Sequence, residues 1–360
     1  VIEQLVSEFE MHNPGIKVKV TDLTWAGGHD KLVIAFAAHE PPDIVELGSD
    51  WVAEFASNGL LAELQSNAPS NYLYPATWNG KLYALPWLLD TRVLYFNLDL
   101  LQKAGMVTPG NWNELLTACR RIRELGEDYF GFGCNSPERH VLYKKFLPLL
   151  WSNGGRVLND NAIESELDSH QATEALGYYL DLCACGLIES QRRVEEYFRE
   201  GKIGFVTAGG WLLRRLRINP PAFRYELAEF HGPDGSQGTS FFGGEYLAVC
   251  GRTDRMEMAH KLVLFLTTKE NSQRLCDAAG FGFPPYESLG IADPQKRIEA
   301  DQLIHSASTP PTPIWVDIEQ DIEDAIEAAI YGHGSARDVL MKASRTINDK
   351  LKSAEIASKE

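Results

Sequence analysis

The apolar positions at the start of the chain switch between two periods. Val1, Ile2, Leu5, Val6 and Phe9 recur at helical spacing, Asn13-Pro14-Gly15 interrupts them, and Ile16, Val18 and Val20 then alternate with lysines as the face of a strand does. A second helix is predicted from about Asp30 to His39. After Pro41-Pro42, Asp43 to Leu47 reads as a short buried strand, and Trp51 to Gly59 returns to helical spacing before the pair Leu60-Leu61. The order α-β-α-β-α predicts an α/β sheet lobe with right-handed crossovers. A helix that opens such a lobe follows a strand, and none precedes Val1, so the lobe's first strand is expected to be missing from this sequence.

Asn79-Gly80, between Tyr74 to Trp78 and Lys81 to Leu85, predicts a hairpin, because Asn-Gly supplies the positive φ values of a tight turn. Leu94 to Asn97 is strand-like and leads into a helix from about Leu98 to Ala104. Pro109-Gly110-Asn111-Trp112 starts another helix. The C-terminal half is richer in helices, predicted at Ala172 to Cys185, Val194 to Glu200, Met256 to Thr267, Ser272 to Ala279, Ile318 to Ile330 and Ala336 to Leu351. No internal repeat is present.

Length and composition narrow the class. A chain of 360 residues, 44% hydrophobic and 23% charged without low-complexity tracts, suits two globular domains. The net charge of -16 argues against a phosphate backbone as partner, since nucleic-acid binders need a concentrated basic face. Arg120-Arg121 and Arg214-Arg215 read as solvated helix faces. Apolar runs such as Leu262 to Leu266 and Val33 to Ala38 fall short of the roughly 20 residues a membrane helix needs. The chain opens without the features of a signal peptide, which is expected to have been removed or to lie upstream.

Six cysteines, at 119, 134, 183, 185, 250 and 276, have neither the density of a disulfide scaffold nor the spacing of a zinc site. Cys183 and Cys185 stand two apart on a predicted helix and so point to different faces, which favours buried structural thiols over a metal pair. Enzymatic motifs are also missing. There is no glycine-rich phosphate loop, no His-Glu-x-x-His helix, no Gly-x-Ser-x-Gly elbow, and the nine histidines have no metal-ligand spacing. Neither a metal nor a cofactor is expected. With fifty acidic residues, composition alone leaves a glycosidase-type carboxylate pair open.

Eight segments, taken in order, carry a resemblance. They are EQLVSEFEMHNP from Glu3, PDIVELGSDWVAEFASNGLLAEL from Pro42, LPWLLDTRVLYFNLDLLQKAG from Leu85, NWNELL from Asn111, GKIGFVTAGGW from Gly201, GGEYLAV from Gly243, AHKLVLFLTTKENSQRLCDAAGFGFPP from Ala259, and IEDAIEAAIYGHGSARDVLMKASRTI from Ile322. Together the series resembles the family 1 extracellular solute-binding proteins, which include the maltose- and trehalose-binding proteins.

The resemblance implies a two-lobed periplasmic-binding-protein clamshell of type II-like α/β architecture, with three inter-lobe crossovers. These fall near Asp90 to Asn97, Gly243 to Val249 and Ser306 to Ile314. The first lobe would hold 1–92 and 248–308, and the second, helix-rich lobe 96–243 and 312–360. Pro310, Pro311 and Pro313 independently suit a stiff linker at the third boundary. The implied role is that of the substrate-binding component of an ABC importer, monomeric and extracytoplasmic, periplasmic or lipid-anchored. It would capture a small sugar or oligosaccharide and present it to membrane permease subunits without catalysis.

Site residues follow from the same match, at loops beyond the carboxyl ends of strands, where open α/β lobes bind ligands. Trp25 follows the strand predicted at Ile16 to Thr21. Ser49, Asp50 and Trp51 follow the next, Trp87 and Asp90 precede the first crossover, and Trp211 follows Gly209-Gly210. Lys144 matches a second-lobe contact, Gly244 and Glu245 the second crossover, and Trp315 the end of the proline linker. Aromatic faces cover the C–H patches of sugars while carboxylates bond their hydroxyls. Each Trp is equally a candidate for the core, and Trp78 and Trp112 are assigned to structure. Arg92 is the alternative partner for Asp90. Glu245 departs from the family pattern, and with Asp50, Asp90 and the tryptophans it also suits a cage for an amine. A carbohydrate-active enzyme using paired carboxylates is the remaining alternative.

Overall fold

A computed structural model describes residues 1–66, 70–135, 138–286 and 291–357. They form two compact units, one of residues 1–90, 243–290 and 308–316, the other of residues 91–242, 291–307 and 317–360. Both mix helices with sheet, so the chain is an α/β protein.

The first unit is built around a ladder between segments distant in sequence. Strand Ile44–Gly48 runs antiparallel to the far half of strand Ser240–Val249, with Ile44 opposite Val249 and Gly48 opposite Glu245. Strand Ala84–Thr91 also pairs with Ser240–Val249, and Leu89 exchanges two 2.8 Å backbone hydrogen bonds with Phe283. Helix Ile2–His12 buries Leu5, Val6 and Phe9. Leu5 and Phe9 join Leu85, Leu88, Leu247 and Val249, together with Val263 and Leu266 from helix Met256–Leu266, in a common core. The hairpin forms as expected, with Asn79 and Gly80 at φ 48° and 71° between two short strands.

The second unit carries a five-stranded sheet in the order Leu187–Glu189, Phe130–Asn135, Ile203–Ala208, Val93–Asn97, Tyr225–Ala228. The first three strands are parallel, and Val93–Asn97 is antiparallel to both neighbours. All six residues of Ile203–Ala208 are buried, the continuous apolar pattern expected of a strand covered on both faces. Helices Trp112–Arg123, His170–Ala184 and Gln191–Arg199 pack against these strands.

Three sequence expectations need correction. Ile16 to Val20 form no ladder; Ile16 and Val18 instead pack on the core of the first unit, and the Val18 N–H donates to Glu10 at 2.8 Å. A backbone donor met by a side chain does not need a neighbouring strand. The second helix begins at Trp25 rather than near Asp30. The segment 291–307, placed with 248–308 in the first lobe, belongs to the second unit. Its helix Pro294–Ile304 packs on Val93–Asn97 and Tyr225–Ala228, where Glu299 accepts a 3.0 Å bond from Tyr95 and Gln302 accepts a 2.6 Å bond from the Phe230 N–H. Helix Pro294–Ile304 shows almost no segregation of apolar residues along its length, which is why periodicity missed it.

Candidate functional site

In the first unit, the end of the Ile44–Gly48 ladder gathers five of the eleven expected residues, Ser49, Asp50, Trp51, Gly244 and Glu245. The Ser49 N–H donates to the Gly244 carbonyl at 3.1 Å, and the Gly48–Glu245 pairing sets Glu245 beside the same turn. Asp50 and Trp51 follow at once, both buried, and the Trp51 N–H closes the turn on the Gly48 carbonyl at 3.0 Å. Trp51 is the N-cap of helix Val52–Ser57. Backbone hydrogen bonds thus set the course of this turn.

Gly244 has a steric reason to be glycine. A Cβ there would stand 2.5 Å from the Leu88 carbonyl oxygen and 2.9 Å from Leu89 Cδ2, so the strands approach only because the side chain is absent. The strand Ala84–Thr91 that presses on Gly244 also carries Asp90, which is buried. Carboxylates at 50, 90 and 245 are thus held on adjoining stretches of one unit.

His29 supports the indole of Trp51. Its ring meets Trp51 edge-on at 5.2 Å and Phe55 at 5.9 Å, and Nε2 lies 2.7 Å from Glu54 Oε2. Burial works against a charge on His29, but the hydrogen bonds and charges of Glu54 and Asp30 outweigh it and raise its pKa. Trp25 is the first residue of the helix that carries His29, and its side chain lies outside the described residues. Trp87 packs in the core with Leu5, Phe9 and Leu247. Trp315, 1% exposed, opens helix Trp315–Ile330.

The second unit presents cations on aromatic rings. The Arg92 guanidinium lies 4.4 Å over the Trp211 ring and 5.5 Å from Phe241, and Lys144 Nζ stands 5.4 Å from Phe241 and 5.2 Å from Tyr143. Trp151 stacks on Phe241 at 6.4 Å. Arg92 is positioned by its backbone, because Ser240 Oγ donates to its carbonyl at 2.7 Å and Thr91 Oγ1 donates to the Phe241 carbonyl at 3.0 Å. Trp211 is fixed from its other end, where its indole N–H donates to buried Glu195 at 2.8 Å, a carboxylate that also takes bonds from Gln191 and Arg215.

Sequence reasoning missed Arg92 as a stacking group, along with Phe241, Glu195 and Tyr143. Contacts between positions so far apart leave no local pattern. It also missed a buried acid cluster in which His140 Nδ1 bonds Glu319 Oε1 and Glu323 accepts from the backbone N–H groups of Val141 and Tyr143. Burial, with Glu319 beside it, pushes the Glu323 carboxyl up to about 7. Nearby, burial and the charge of Arg92 lower Lys145 to about 7, and its ammonium donates to the Thr207 carbonyl at 2.7 Å.

Among the described residues, no group of three or more His, Cys, Asp or Glu side chains is arranged to hold a metal ion. No described helix is long and apolar enough to cross a membrane. The first unit offers hydrogen-bond acceptors at one ladder end, and the second unit, taken by itself, offers cation-backed aromatic rings.

Comparison with known proteins shows the family. A putative binding protein of Brucella abortus is 25% identical over 97% of this chain and 89% of its own length. The diacetylchitobiose binding protein of Streptomyces coelicolor is 24% identical over 96% of this chain and 85% of its own length. An ABC transporter solute-binding protein of Thermotoga lettingae, solved with α-D-tagatose bound, superposes with a TM-score of 0.86 at 23% identity, covering 97% of this chain and 95% of that one. The model of the bacterial extracellular solute-binding proteins matches residues 1–273. With that match across three-quarters of its length, the chain belongs to the bacterial extracellular solute-binding proteins, which act outside the cytoplasm.

Proposed function

We propose that this protein is the substrate-binding component of an ABC importer, capturing a small sugar or oligosaccharide and delivering it unchanged to membrane permease subunits. The observation that carries the sugar reading is the grouping of Ser49, Asp50, Trp51, Gly244 and Glu245 at one ladder end, with Asp90 on the adjoining strand. Carboxylates accept the hydroxyl protons of a sugar in charge-assisted bonds, and an indole covers its C–H face. Relatives described as binding diacetylchitobiose or holding tagatose support the same ligand class.

In this reading Asp50, Asp90 and Glu245 accept sugar hydroxyls and Trp51 supplies the apolar face. Trp211, backed by Arg92, and Lys144 contribute from the second unit. Trp25 and Trp315 complete the set, and Trp87 acts by holding the strand that carries Asp90. The role is binding, not catalysis.

Tryptophan-fluorescence titration against a panel of mono- and oligosaccharides, followed by chromatographic recovery of the ligand, tests this. Saturable binding of at least one neutral sugar, recovered intact, is expected. Binding of amines with no response to any sugar would overturn the ligand class, and recovery of a cleaved glycoside would overturn the non-catalytic role.

A further inference from the structure

Helix Tyr143–Ser152 starts where water cannot cap it. Residues 142–150 are all buried, and the N-cap Leu142 has no side chain able to accept a hydrogen bond. The first N–H groups of a helix find no partner within it, so a buried start needs an acceptor from elsewhere. Glu323 of helix Trp315–Ile330 supplies one, accepting from the Val141 N–H at 3.1 Å and the Tyr143 N–H at 3.3 Å. One turn back on the same helix face, Glu319 Oε1 bonds Nδ1 of His140, whose backbone holds a φ of 64° just before the helix. Lys144 follows Tyr143 directly, with its ammonium against the Tyr143 and Phe241 rings.

The charges in this cluster are uneven. Glu319 and Glu323 are 2% and 5% exposed and stand four apart on one helix, and the basic group that acts on them is His140. Glu319 Oε2 is buried with no hydrogen-bond partner among the described residues. Lys350, on helix Ala336–Ala357, is engaged with Asp321 and the Asp317 carbonyl, and Arg139 is exposed. Two buried carboxylates side by side resist ionising together, so one of them keeps a proton near neutral pH. Burial and the charge of Glu319 make Glu323 the one that keeps it, up to about 7.

We propose that Glu323, with Glu319 and His140, is a positioning group for Lys144: the three hold the start of helix Tyr143–Ser152 through a retained proton, and the placement of Lys144 loosens as that proton is lost. In the docked start Glu323 is buried, whereas in an opened one it returns to water and to its ordinary value of 4.5. A carboxyl raised in the docked form stabilises docking fully below the lower value, and that contribution is lost as pH rises through about 7. Between about pH 6 and 8 the docking equilibrium should therefore fall about tenfold. That Lys144 contacts ligand rests on the function proposed above, and on that reading sugar affinity falls over the same window.

Hydrogen–deuterium exchange of the full chain, corrected for the intrinsic rate at each pH, tests this without any ligand. The peptide spanning residues 138–147 should lose protection about tenfold between about pH 6 and 8, while a peptide from helix Ile2–His12 of the first unit does not. Glu323→Gln keeps an acceptor oxygen and cannot ionise, so it should flatten the fall. Glu319→Gln should move the fall to lower pH, because the neighbouring charge is gone. Constant protection of residues 138–147 in the wild type, a fall shared by helix Ile2–His12, or a full fall kept in Glu323→Gln would overturn the proposal. The wild-type profile decides even where a variant fails to fold. Titration with tagatose and diacetylchitobiose at both pH values separates this from the sugar reading. Equal affinity at the two pH values would overturn Lys144 as a ligand contact, and binding of neither sugar would count against the sugar reading while the exchange result still decides the positioning.

Discussion

The two units hold their polar residues by different means. In the first, Ser49, Asp50, Gly244 and Glu245 are set by the end of a backbone ladder, and Gly244 is fixed by contact with the Leu88 carbonyl. In the second, Arg92, Trp211, Lys144 and Phe241 hold one another through side-chain stacking, with Glu195 as anchor. A backbone-built site tolerates little movement, whereas a stacked one can repack. Specific hydrogen bonding to ligand should therefore depend on the first unit, and the second should tune it.

Substitution at the ladder end breaks this comparison most sharply. Asp90→Asn and Asp50→Asn should each weaken sugar binding roughly ten- to a hundredfold, since a hydrogen bond to a charged group contributes about 1.5–3 kcal/mol. Lys144→Met and Trp211→Phe should cost less than either. Calorimetric titration of the four variants with one sugar ranks them, and the reverse order would refute the division of labour.

Gly244→Ala attacks the ladder itself. Forcing a methyl against the Leu88 oxygen should cost about 1–3 kcal/mol of stability, read by urea denaturation. A neutral result would mean that the two strands have room to separate.

The second unit holds two buried groups whose shifts should show in the pH response. Glu323 is pushed up to about 7 when folded, above its unfolded range, so the folded state binds the extra proton. Its stabilising contribution is full below about pH 4.5 and is lost as pH rises through about 7. The wild-type Tm should fall between about pH 4.5 and 7, and Glu323→Gln should reduce that fall. Lys145 has the opposite sign in a higher window. Lowered to about 7, it leaves the folded state short of a proton between about pH 7 and 10.5, so stability rises with pH across that range and Lys145→Met should flatten the rise. An unchanged pH profile in both variants would contradict burial of these groups.

Arg92→Ala makes the smallest change. A cation over an indole contributes about 0.5–1 kcal/mol when exposed and about 2 when desolvated. A Tm loss of a few degrees, with Trp211 fluorescence shifted, is expected. No change in either would remove Arg92 from the stack.

The same contrast explains what could be read from the chain. Local patterns foretold the hairpin at Asn79-Gly80, the helix that starts at Trp112, and the long helix from Ala336. Ser49 to Trp51 were legible because they follow a short apolar strand. Gly244 was legible as a glycine pair, though not the Leu88 oxygen that requires it. The stack of Arg92 on Trp211 was not, because nothing local links positions 92, 144, 211 and 241. Ile16 to Val20 misled for the converse reason: alternation marks a half-buried face, and a side chain such as Glu10 can satisfy the backbone where a strand neighbour would.

The most direct test of the account is calorimetry of the wild-type protein against neutral sugars, with Asp50→Asn/Asp90→Asn in parallel and the ligand analysed afterwards. The account predicts saturable binding by the wild type, loss of that binding in the double variant while its Tm stays within a few degrees of wild type, and ligand recovered unchanged. Equal affinity in both proteins would contradict it.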